Sequence, residues 1–125
     1  MIAKLTDPWF DAKFMTETTA KGHRYCDTLD GADGLWLWCP CGYGKPEYPL
    51  EGARPHGVIV SFANPRGCTP APADAGSRSR AGGPSRWTIA RGSGLADLTL
   101  TPSVDVGDPS CWHGYLTNGE VTRYA

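Results

Sequence analysis

Apolar residues in this chain come in short bursts, without the 3.6-residue rhythm of a long amphipathic helix. Leu35-Trp36-Leu37-Trp38, Val58-Ile59-Val60, Trp87-Thr88-Ile89-Ala90 and Leu98-Thr99-Leu100-Thr101 are the clearest. They are rich in aromatic and β-branched residues, which suit a pleated and half-buried surface. Leu35–Trp38 has no polar alternation, so it reads as a strand buried on both faces. Two further runs, Trp112–Thr117 and Glu120–Tyr124, flank Asn118-Gly119. That dipeptide is a strong hairpin signal, because both central residues of a type I′ turn need positive φ. Gly92-Ser93-Gly94 joins the Trp87 and Leu98 runs, and Pro102 ends the latter. The pattern predicts an all-β fold: a compact antiparallel sheet of about six short strands.

The rest is punctuation. Residues 1–21 are weakly patterned and read as an N-terminal segment packing on the core, with Trp9, Phe10 and Phe14 on one side of a short turn or helix. Thr16–Ala20 is polar and leads into the first strand. Gly31-Ala32-Asp33-Gly34 is a turn. Pro46 and Pro49 keep their stretch out of a central strand. From Ala63 to Arg86 the composition shifts to Pro, Gly and Arg without large apolar residues. Such a stretch buries too little surface to offset the cost of ordering it, which predicts a flexible loop over 63–86. The remainder, 22–125, reads as a single β domain.

Gly 16 and Pro 11 fit short strands and many turns. Five Trp and five Tyr suggest a core resting on a few large aromatics more than on an aliphatic layer. A net charge of −1 favours neither nucleic acid nor a membrane surface. No apolar run approaches the roughly 18–20 residues needed to cross a bilayer, and the N-terminal residues lack a secretory pattern. The expected location is therefore a cytoplasm, where thiols stay reduced and clustered cysteines mark metal more often than disulfides.

Cys39-x-Cys41 sets two thiols on the same face of an extended chain, beside a Gly42/Gly44 turn. So close a pair is poorly placed to bridge itself. Cys111-x-His113 repeats the spacing far downstream, at the start of the last hairpin. Cys39, Cys41, Cys111 and His113 together make a closed tetrahedral set for a structural Zn2+. His23 and Cys26 are alternative fourth ligands, Cys26 otherwise being a small core residue. Cys68 reads as a free thiol, and His56 as a strand-edge residue more than a ligand.

Three stretches carry a resemblance: Cys39-Pro-Cys-Gly-Tyr-Gly44, Leu98-Thr-Leu-Thr-Pro-Ser-Val104, and Cys111-Trp-His113 followed by Tyr115–Val121. They resemble a family of small zinc-site proteins found in phages, in prophages and in bacterial operons beside ubiquitin-like conjugation genes. Many of its members place two residues between the second Cys and His, where this chain has Trp112 alone. The resemblance covers about residues 35 to 125. It implies a zinc-bound fold, a phage or mobile-element origin and metal ligands at Cys39, Cys41, Cys111 and His113. It implies no activity.

Function is less legible. A site filled by three thiolates and an imidazole leaves no position for substrate or water. H-E-x-x-H, deaminase and nucleophile-elbow signatures are missing from the sequence. The expectation is a small non-enzymatic accessory protein that acts through protein–protein contact, with a phage component or host factor as partner and Trp9 or Tyr48 as a possible anchor. It would lie in the bacterial host cytoplasm or on the virion. One alternative is a nucleic-acid-binding module using the arginines of residues 66–91. The other is a zinc-dependent enzyme with an open metal position, for which Ser103, Asp97, Asp105 and His23 are the polar residues at hand, although such residues more often form turns.

Overall fold

The computed structural model describes residues 2–18, 22–52, 54, 56–67, 86–105 and 112–123. Among them are eleven short strands: β1 (Ile2–Lys4), β2 (Lys13–Thr18), β3 (Gly22–Cys26), β4 (Gly34–Trp38), β5 (Gly57–Ser61), β6 (Thr88–Arg91), β7 (Thr99–Thr101), β8 (Val104–Asp105), β9 (His113–Gly114), β10 (Leu116–Thr117) and β11 (Glu120–Thr122). Two single-turn 3-10 helices, Pro8–Phe10 and Pro40–Gly42, complete the elements. Every strand ladder is antiparallel. The strands form small sheets in the orders β3-β2-β4-β5, β1-β11-β10, β6-β7 and β8-β9. A parallel bridge between Phe62 and Trp87 links the end of β5 to the start of β6. The chain is thus mostly β, as its pattern predicts. No helix among the described residues is long and apolar enough to cross a membrane.

The N-terminal segment does more than pack on the core. β2 lies between β3 and β4, pairing Phe14 with both Cys26 and Leu35. β1 pairs with β11, so it joins the final hairpin. Apolar periodicity misses β2 because threonine and charged residues occupy much of it, while backbone pairing on both edges holds it in place. Its apolar residues, Phe14 and Met15, are both buried. Between β1 and β2, Pro8 opens a turn that buries Trp9 and Phe10. The Asp7 carboxylate caps it, accepting from the Trp9 amide at 2.9 Å.

β4 is not buried on both faces. Leu35 and Leu37 are wholly enclosed, while Trp36 and Trp38 are half-buried and meet edge to face at 4.9 Å. Gly57 makes room for that packing, since a Cβ there would come within 2.7 Å of the Trp36 indole. The core also corrects the aromatic expectation. Trp87, Trp112, Phe10 and Phe62 are enclosed together with Leu5, Leu29, Leu35, Leu37, Val60, Leu98 and Leu116. Leu5 and Leu29 sit outside strands and outside any apolar run, so the sequence pattern announces only part of the aliphatic share. Each such buried side chain contributes about 1.5–3 kcal/mol. The enclosed indoles keep their N–H groups satisfied: Trp87 donates to the Ser103 carbonyl at 3.0 Å and Trp112 to that of Thr122 at 2.8 Å.

The last hairpin turns as predicted. Asn118 has φ 49° and Gly119 φ 74°, and Thr117 pairs with Glu120 across them. A side chain at Gly119 would also collide with the Ala96 carbonyl. β6 and β7 pair with a bulge between Ile89 and Arg91. Residues 68–85 of the expected loop lie outside the described residues. Its first residues, however, are tied down. Ala63 donates to the Trp87 carbonyl at 2.8 Å, and the Asn64 amide exchanges two bonds with the Ile89 backbone, at 3.1 and 2.7 Å.

Candidate metal centre

The β4–β5 ladder runs from Gly34↔Ser61 to Trp38↔Gly57. Continuing that register sets Cys39 opposite His56, and the Cys39 amide indeed donates to the His56 carbonyl at 2.8 Å. Residues opposed in this way have Cβ atoms roughly 4.5–5.5 Å apart and share one face. Pro40 then opens the second 3-10 turn, with Gly42 donating to the Cys39 carbonyl at 3.3 Å and Tyr43 to that of Pro40 at 3.1 Å. The turn swings Cys41 back toward the pair. Its Sγ lies 3.6 Å from His56 Nε2, and the donor atoms of Cys39, Cys41 and His56 all lie within 4.8 Å of one another. Both cysteines are buried.

This group can hold a metal ion. Tetrahedral zinc takes Zn–S of about 2.3 Å and Zn–N of about 2.0–2.1 Å, so its sulfur and nitrogen ligands stand about 3.5–3.6 Å apart. The 3.6 Å between Cys41 and His56 matches that spacing. His56 Nδ1 lies 3.3 Å from the Gly57 carbonyl. A proton on Nδ1 is held by that oxygen, leaving the Nε2 lone pair for a metal; this is the usual second partner of a ligating histidine. Two thiolates and an imidazole are soft-to-borderline donors of the kind that favour zinc over magnesium or calcium.

The structure corrects the reading of His56. It stands at a strand edge, as expected, but it also joins the two cysteines. The extended register was the signal that could have found it. His113 is not part of this group: it begins β9, opposite Asp105 on β8, and its Nε2 lies 3.2 Å from Ser103 Oγ. Cys111 and Cys68 lie outside the described residues, as does the side chain of His23. Cys26 sits on β3 opposite Phe14, packed against the core. Burial raises its thiol pKa, with Asp33 and Asp27 adding to the effect, so it holds its proton. Its packing against the core, outside the Cys39–Cys41–His56 group, fits the core-residue reading.

The metal loop leaves Cys41 and returns at His56. Its residues Tyr43, Pro46, Tyr48, Pro49 and Leu50, with Asp7 and Trp9 from the N-terminal turn, line an open cleft of about 420 Å³. Trp9 is buried there, so it is a wall of the cleft and not an exposed anchor; Leu50 is the exposed apolar residue. Of the arginines considered for nucleic acid, Arg66 donates to the Gly92 carbonyl at 2.6 Å and Arg86 to that of Phe62 at 3.3 Å. Arg91 is exposed on β6, while Arg78 and Arg80 lie outside the described residues. Asp97 is a turn former, its carboxylate accepting from the Ser93 and Gly94 amides, each at 2.9 Å. No family model, curated protein or solved structure matches the chain.

Proposed function

We propose that this chain is a small non-enzymatic accessory protein, built around a structural zinc ion and acting through contact with another protein. The convergence of Cys39, Cys41 and His56 at ligand spacing carries the reading. Zinc at that point joins the first and last residues of a long irregular loop and adds to the backbone rung between Cys39 and His56. A chain of this size has a modest core, and a metal staple supplies part of the stability that the core does not.

Cys111, read from the sequence, stays in the proposal as the source of the fourth donor, while His113 lies outside the group. A filled fourth position makes the ion structural, whereas water there would make it a potential Lewis acid. The cleft on the loop is the surface offered to a protein partner, being rich in Tyr and Pro with Leu50 exposed at its rim.

Cobalt substitution tests the reading. Thiolate-to-cobalt charge-transfer bands and tetrahedral d–d bands are expected, diminished by Cys39→Ser, Cys41→Ser and His56→Ala. A further loss with Cys111→Ser assigns the fourth donor. Octahedral, thiolate-free spectra would reject the site. Pull-down from infected or lysogenic cells then separates a protein partner from nucleic acid.

A further inference from the structure

Both arms of the metal loop carry a gripping residue two positions from their ligand: Tyr43 after Cys41, and Arg54 before His56. Both grip the same object, the N-terminal turn. Tyr43 stacks on Phe10 at 5.0 Å and meets Trp9 edge to face at 5.3 Å. Its hydroxyl donates to Asp7 Oδ2 at 2.5 Å, the same carboxylate that caps the turn through the Trp9 amide. Arg54 lies over the Trp9 ring at 5.0 Å and donates to the carbonyls of Pro49, Leu50 and Gly52. Between the arms, the Trp9 indole donates to the Tyr48 carbonyl at 2.8 Å.

We propose that metal capture and docking of the N-terminal turn are one coupled event, with Asp7 and Tyr43 as positioning residues for the metal ligands. The inference rests on the zinc reading and adds what controls that site. A short O–H···O− bond tolerates little displacement. Placing Cys41 for the metal therefore places the Tyr43 hydroxyl on Asp7, and the reverse holds with equal energy because coupling between sites is reciprocal. The cleft between the loop and the turn is the product of that docking, so its shape follows metal occupancy.

The test is zinc affinity, measured on the full chain by competition with a chromogenic chelator. Tyr43→Phe keeps the ring and removes one oxygen. Asp7→Asn keeps the cap acceptor and removes the charge. Each is expected to weaken zinc binding about fivefold, at the low end of typical site-to-site coupling, and the double variant is expected to do little more than either alone. Asp97→Ala breaks a turn elsewhere and serves as a control for general destabilisation: it is expected to lower the melting temperature without changing zinc affinity. Unchanged affinity in both Tyr43→Phe and Asp7→Asn overturns the coupling and leaves the zinc reading standing. An equal loss in Asp97→Ala, at matched melting temperature, also overturns it. Wild-type protein that takes up no zinc overturns both readings.

Discussion

Cys39 and His56 face each other one rung beyond the last pair of the β4–β5 ladder, joined by a 2.8 Å bond from the Cys39 amide to the His56 carbonyl. A cross-strand rung is a rigid way to hold two side chains, because the sheet itself sets their separation. Only Cys41 needs a special device, and the Pro40–Gly42 turn provides it. The centre is thus largely preorganised by backbone pairing.

His56 is expected to be the imidazole ligand. His56→Ala should weaken zinc binding at least about tenfold, in the range seen when metal-site partners are lost. Chelator competition checks this, with His113→Ala run beside it. Wild-type affinity in His56→Ala together with lost binding in His113→Ala would move the assignment to the other histidine.

Cys39→Ser is expected to destabilise the domain by several kcal/mol, since a ligand is lost at a fully buried position and zinc binding contributes directly to folding. Cys111→Ser should do the same if it supplies the fourth donor. Thermal melts with and without added zinc measure both. A melt for Cys39→Ser that matches wild type would contradict the structural role.

The hairpin signal, the strand bursts and the C-x-C turn were legible in the sequence because each is local: turn chemistry and short-range apolar runs act within a few residues. β2 was not, since its Thr and charged residues are held by ladders to β3 and β4, which depend on distant segments. His56 was missed for the same reason. It joins the two cysteines through the register of β4 against β5, and register is a non-local property. Leucines that complete the core from outside any apolar run, such as Leu5 and Leu29, lie in turns or bends and carry no periodicity to read.

Gly119→Ala is expected to destabilise the protein by about 2 kcal/mol or more, from left-handed backbone and a clash with the Ala96 carbonyl. Asn118→Gly, at the neighbouring position of positive φ, should change stability by well under 1 kcal/mol. Urea melts of the two variants check the contrast.

Asp97 gives a pH signature. Backbone N–H bonds from Ser93 and then Gly94 hold its carboxyl below the ordinary value of 3.8. The unfolded chain therefore takes up this proton first as pH falls. The contribution is full above the ordinary value and is lost as pH drops through the lower, folded one. The stability gap between wild type and Asp97→Asn should narrow as urea melts are taken from pH 6 to pH 2. A gap that stays constant over that range would show that the carboxylate charge plays no part in the turn.

The central claim is that Cys39, Cys41 and His56 hold one structural zinc. Elemental analysis of the purified full chain, paired with a melt before and after chelation, tests it most directly. The account predicts one zinc per chain and a cooperative transition that is weakened or lost when the ion is removed. Less than half an equivalent of zinc, with the cooperative fold intact after chelation, would contradict it.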